Sequence, residues 1–122
     1  MEFNLHQVAD NQFTRYSCTS VTIKDKIYSR SIIVTNNDIY DLGEVTHINQ
    51  LTSLILAPVY HFKPDLVLMG FGNEIIYPAK EILQELRHNS IGVEVMALPA
   101  LCRTYNFLVS EGRKVAGILV FE

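Results

Sequence analysis

The chain has 122 residues, 48% of them hydrophobic, with ten Lys and Arg against thirteen Asp and Glu for a net charge of −3. That length fits one domain, residues 1–122, able to bury a core without metal or disulfide support. The scattered bases and negative balance argue against a nucleic-acid partner, and no apolar run approaches the roughly 20 residues of a spanning helix.

The start, Met1-Glu2-Phe3-Asn4-Leu5-His6-Gln7, lacks the basic and apolar stretches of a secretory signal and the arginines of a transit peptide. The two cysteines, Cys18 and Cys102, lie far apart, without the dense spacing of disulfide-stapled domains. Together these features point to a reduced, cytoplasmic setting.

Residues 13–42 alternate in the manner of antiparallel strands. Tyr16, Cys18, Val21 and Ile23 precede a polar turn, Lys24-Asp25-Lys26, and an extended run from Ile27 to Thr35 follows it. This predicts a hairpin. Asn36-Asn37-Asp38 is a further turn, with residues 39–42 a short extended piece. In residues 48–62, Thr52 or Ser53 suits the cap of a short or kinked helix carrying Leu54, Ile55 and Leu56, while Pro58 disfavours helix at Ala57.

The apolar run Leu66-Val67-Leu68-Met69, ended by Gly70, reads as a central parallel strand buried on both faces. Pro78 suits a first helical position, and Ile82, Leu83 and Leu86 form the apolar stripe of a helix ending near His88-Asn89. Gly92-Val93-Glu94-Val95-Met96 is the next strand. Pro99 opens a second helix bearing Leu101, Tyr105, Leu108 and Val109, which Gly112 ends, and residues 115–121 form the final strand.

Four segments carry a resemblance: Pro64-Asp65-Leu66-Val67-Leu68-Met69-Gly70-Phe71-Gly72, Gly92-Val93-Glu94-Val95-Met96, Cys102-Arg103-Thr104-Tyr105-Asn106 and Glu111-Gly112-Arg113-Lys114-Val115-Ala116. With Arg30-Ser31 and Thr35, they resemble a bacterial and archaeal family of small domains of unknown function. Its eukaryotic relatives include a mitochondrial respiratory complex I assembly factor and an adipogenesis-associated domain protein. The likeness is tight over residues 64–120 and loose over the first twelve residues and 44–62. It implies an α/β fold: a three-layer single domain with a mixed central sheet, an added β-hairpin layer and a β-α-β-α-β carboxy-terminal half. It implies no established activity. Many members read Gly-Thr-Gly where this chain has Gly70-Phe71-Gly72, so a hydroxyl role at position 71 does not carry over.

Polar residues at the start of a helix that follows a parallel strand lie at the rim where open α/β sheets hold ligands. Cys102, Arg103, Thr104 and Asn106 are therefore site candidates, placed at the start of the second helix, with Gly70, Phe71, Gly72 and Asn73 facing them. The dinucleotide fingerprint is incomplete, because its third glycine would fall at Ile75; the turn's N–H groups still suit a small anion. A helix start and Arg103 would make Cys102 a nucleophile, against which stands the buried, inert reading common for cysteine. Arg103 reads equally as an anion clamp or a salt-bridge partner of Glu94 or Glu74, and Thr104 and Asn106 read first as helix caps.

None of His6, His47, His61 and His88 aligns with Cys102 as a base. The common metal, redox, hydrolase and phosphate-loop motifs are missing, so no cofactor or metal is expected. Asp38, Asp41 and Glu44 read as a surface turn. The balance favours a non-enzymatic binding or assembly role, with a protein segment or a small anion as partner. The alternative is a small thiol enzyme with Cys102 as nucleophile and Arg103 holding an anionic substrate. Strand edges and the apolar Phe71 and Tyr77 leave room for a homodimer.

Overall fold

The computed structural model describes residues 10–122. His6 and the start of the chain read above lie outside the described residues. The fold holds two sheets. Strands β1 (Phe13–Tyr16), β2 (Val21–Ile23) and β3 (Lys26–Tyr28) form an antiparallel meander. Strands β4 (Ile32–Val34), β5 (Ile39–Asp41), β6 (Leu66–Phe71), β7 (Gly92–Val95) and β8 (Val115–Val120) form a mixed sheet in the order β5-β4-β8-β6-β7. Within it β7, β6 and β8 run parallel, and β4 is antiparallel to both β5 and β8.

The apolar runs explain the centre of this sheet. All six residues of β8 are buried, and β6 is buried from Val67 to Gly70, as strands covered on both faces must be. Helix α1 (Ala57–Phe62) precedes β6, α2 (Lys80–His88) joins β6 to β7, and α3 (Leu98–Ser110) carries the chain from β7 across β6 to β8. The two crossovers step in opposite directions along the sheet, so helices of the same handedness fall on opposite faces. Accordingly, Leu98, Leu101, Cys102, Tyr105 and Val109 of α3 share one core with Phe13, Val21 and Ile23 of the meander. On the other face Ile82 and Leu86 of α2 pack with Val59 of α1 and with Ile48, Leu51 and Leu56. The result is the expected three-layer α/β fold with a mixed central sheet and an added hairpin layer.

Several boundaries differ from the sequence expectation. The run from Ile27 to Thr35 breaks into β3 and β4, which belong to different sheets. Ser31 pins the break: its buried hydroxyl donates to the Val45 carbonyl at 2.6 Å and accepts from the Phe121 N–H at 2.9 Å. The polar turn itself is a two-residue hairpin turn, with Lys24 and Asp25 at φ +49° and +68°.

The helix expected over Leu54, Ile55 and Leu56 begins later, at Ala57. Pro58 sits in its first turn, where no N–H is needed, so the proline starts the helix it was expected to prevent. Thr52 does cap the preceding turn, its Oγ1 accepting from the Ile55 N–H at 3.2 Å. Helix α2 begins at Lys80, two residues beyond Pro78, and ends at His88 as expected.

The correction with most bearing on function concerns α3. It starts at Leu98, with Pro99 in its first turn, so Cys102, Arg103, Thr104 and Asn106 occupy the middle of the helix rather than its start. Its end follows expectation: Gly112, at φ +80°, donates to the Val109 carbonyl and Arg113 to that of Leu108, both at 2.9 Å. Among the described residues, no helix is long and apolar enough to cross a membrane.

Candidate functional site

The glycine turn meets the first turns of α3, at Leu98 and Leu101, through packing, and no open pocket joins it to the polar run. Gly70 ends the buried part of β6 directly beneath the first turns of α3. A Cβ added there would stand 2.9 Å from the Met96 carbonyl oxygen, 3.0 Å from Leu101 Cδ1 and 3.1 Å from Leu98 Cδ2. Gly70 therefore lets the helix close on the strand. Gly72 adopts φ +59°, with nothing within 4 Å of an added Cβ, and turns the chain back on itself. Its carbonyl accepts the Leu98 N–H at 2.9 Å, so one of the free donors at the start of α3 is already engaged by this chain.

On α3 the residues one turn apart share a face, so Leu98, Cys102, Tyr105 and Val109 all turn inward while the neighbouring Arg103 turns outward. Cys102 points into the core and is fully buried. Burial pushes its thiol up to about 12, and the opposing pull of Arg103 is the smaller effect. A thiol so placed is protonated at neutral pH, opposite to the activation that nucleophilic chemistry needs. Arg103 is exposed and makes no ion pair with any described residue. Thr104 is half-buried.

Tyr105 is fully buried and donates its hydroxyl to the Thr35 carbonyl at 3.1 Å, stacking edge-on against Phe13 at 5.0 Å. Burial, reinforced by Asp10, drives its phenol upward. Asn106 reaches across to β1. Its Nδ2 donates to the Phe13 carbonyl and its Oδ1 accepts the Phe13 N–H, each at 2.8 Å. Neither Thr104 nor Asn106 caps the helix, because the helix began a turn earlier.

The exposed part of the site is a shallow cleft of about 430 Å³ at the carboxyl end of β6. Phe71, Gly72, Asn73 and Glu74 form one wall; Cys18 and Thr19 from the β1–β2 turn and Glu122 complete it. The Phe71 ring is backed by His47, with centroids 4.7 Å apart. His47 in turn opens the 3-10 turn Ile48–Gln50, accepting the Asn49 N–H at Nδ1. Four predicted residues thus cluster at the turn, where three line the cleft beside Glu74. Cys102, Tyr105 and Asn106 belong to the core and to β1. Cys18, Thr19, Glu122 and His47 did not appear among the site candidates, because only the folding of distant segments brings them to the turn; Glu74 adjoins Asn73 in the chain, where the sequence marks it only as a partner for Arg103. The charged side chains of the cleft, Glu74 and Glu122, are both acidic.

Comparison with known proteins gives this arrangement a context. The family model described as "Protein of unknown function (DUF498/DUF598)" matches residues 13–120. The "13 kDa major membrane protein" of Francisella tularensis is 26% identical over 94 residues, covering 76% of each chain. The "NADH dehydrogenase (ubiquinone) 1 alpha subcomplex assembly factor 3" of Drosophila melanogaster is 32% identical over 97 residues, which cover 77% of this chain and 46% of that one. The chain thus spans about half the length of that relative. A crystal structure of a Bordetella parapertussis protein superposes with a TM-score of 0.84 at 26% identity, covering 94% of this chain and 98% of that one.

Proposed function

The chain belongs to the DUF498/DUF598 family of proteins of unknown function, and from that premise we propose that it is a non-enzymatic, single-domain binding protein of the assembly-factor kind. It acts in the cytoplasm and engages a polypeptide segment of a partner at the rim around Phe71, Gly72 and Asn73. The observation that carries this reading is the division of the site. The one residue suited to covalent chemistry on α3, Cys102, is sealed in the core with its thiol raised, while the rim beside it offers an aromatic ring and polar backbone in an open cleft.

Between the two kinds of partner, the rim favours a protein segment. An anion would approach Glu74 and Glu122 with no cation among the described residues that line the cleft to oppose them. A peptide can place an apolar side chain on Phe71 and a basic one against the carboxylates. The name of the Drosophila relative, an assembly factor, supports a protein partner as well.

The test is affinity capture from extract of the native host, comparing wild type with Phe71→Ser and Glu74→Lys. Both variants are expected to lose a partner that wild type recovers while remaining folded, Phe71→Ser at a lower thermal midpoint because its ring packs beside His47 against the core. Equal recovery by all three proteins would remove the rim from consideration.

A further inference from the structure

A second surface lies where, among the described residues, each of the two sheets leaves an edge unpaired. Strand β3 is the outer strand of the meander and β5 the outer strand of the mixed sheet. They face each other across a groove of about 350 Å³, lined by Lys26, Tyr28, Arg30, Ile32, Ile39 and Asp41 among others.

Register shows which backbone groups face outward. The Leu42 N–H donates to Ser31 and the Thr35 N–H to Asp38, so the bonded pairs of the β4–β5 ladder alternate through Ile33 and Tyr40. Ile39 and Asp41 fall on the intervening pairs, and their N–H and C=O groups therefore point away from β4. In the two-residue hairpin, Ile23 and Lys26 are the bonded pair, which turns the backbone groups of Ile27 outward from β3 by the same alternation. The edge of β1 is different, since Asn106 already satisfies Phe13 there.

The side chains around these open groups have a consistent chemistry. Ile32, Ile39 and the half-buried Tyr28 supply an apolar floor. Lys26 lies over the Tyr28 ring at 5.3 Å, and Arg30 stands 3.7 Å from Asp41 in an exposed pair. Two cations against one carboxylate leave the groove positive on a chain that is negative overall.

We propose that this groove takes an extended, acidic and apolar segment of a partner protein as an added strand on β5. Main-chain hydrogen bonds to Ile39 and Asp41 would supply the pairing. Alternate apolar side chains would enter the floor, and carboxylates would meet Lys26 and Arg30. The inference rests on the protein-binding reading above but uses a different surface, so the two can fail separately.

The experiment titrates a blocked peptide of alternating valine and glutamate into the isotope-labelled full chain and follows its amide resonances. Shifts are expected at Ile27, Ile39 and Asp41, with affinity reduced about tenfold in the doubly reversed Lys26→Glu, Arg30→Glu variant and abolished when the peptide's bonding N–H groups are methylated. Any one of four results would overturn the proposal: no shifts up to about 1 mM peptide, equal affinity in the reversed variant, undiminished binding of the methylated peptide, or movement of the same amides with protein concentration alone, which assigns the groove to a second copy of the chain. Phe71→Ser should bind the peptide as wild type does. Loss of partner capture by Phe71→Ser with peptide binding intact would uphold both surfaces, whereas capture unaffected by Phe71→Ser alongside intact peptide binding would reject the rim alone.

Discussion

Asn106 serves Phe13 as a substitute strand, giving and receiving one 2.8 Å hydrogen bond at its backbone. This occupies the β1 edge at Phe13 and ties the hairpin layer to α3. Asn106→Ala would leave both backbone groups without a partner in a partly buried setting, at a cost of about 2 kcal/mol. Urea denaturation would read that loss. A change below about 0.5 kcal/mol would mean that water replaces the amide without penalty.

Cys102 should resist alkylation in the native protein. In a Cys18→Ser background, iodoacetamide is expected to leave the chain unmodified at neutral pH and to add one group after denaturation, as read by intact mass. Rapid native labelling with a midpoint near neutrality would contradict the burial and reopen a nucleophilic role.

The same thiol predicts an alkaline loss of stability. Its pKa rises from 9.0 to about 12 on folding, so above pH 9 the unfolded chain releases a proton that the folded chain keeps. The unfolded state then binds fewer protons, and stability falls as pH rises from 9 towards 12, by at most about 1.4 kcal/mol per pH unit for one group. Tyr105 acts in the same direction. Cys102→Ala should lower stability overall yet flatten this alkaline limb, and an unchanged slope would assign the loss elsewhere.

The two glycines of the turn should respond differently to alanine. At Gly70 the added methyl meets the Met96 carbonyl and two leucine side chains, and overpacking there should cost about 1–3 kcal/mol. At Gly72 there is open space, so only the left-handed backbone is penalised, by about 1 kcal/mol. Denaturation midpoints of the two variants would rank them. Gly72→Ala costing more than Gly70→Ala would contradict the close approach of α3.

Ser90 closes α2 in the left-handed region, at φ +61°. Its N–H donates to Arg87 and that of Ile91 to Leu86, both at 3.0 Å, the pattern that glycine usually completes. Ser90→Gly should therefore stabilise the fold by about 0.5–1 kcal/mol, a gain visible as a higher thermal midpoint.

Strand runs and turns were legible because their causes are local. Lys24-Asp25-Lys26 is a polar break between two alternating runs, residues 66–69 are apolar on both faces, and Gly112 stops a helix wherever that helix began. What caps α3 was less visible. No side chain caps it; Ala97 stands at the cap position, and the Gly72 carbonyl, 26 positions earlier in the chain, takes the Leu98 N–H. Pro99 marked the opening to within one residue, but the polar run at 102–106, expected at that opening, lies a turn inside the helix.

The order of residues by itself determined the α/β class, the parallel core strands and the presence of a glycine turn at a strand end, since each follows from periodicity and backbone preference over a few residues. Tertiary structure alone decided the rest. Rotation of α3 about its axis sent Cys102 inward and Arg103 outward, and the docking of the meander gave Asn106 to Phe13. Packing of two sheets brought Cys18 and Glu122 to the turn and set the edges of β3 and β5 across one groove. These outcomes depend on contacts between segments tens of residues apart, whose relative positions no local pattern encodes.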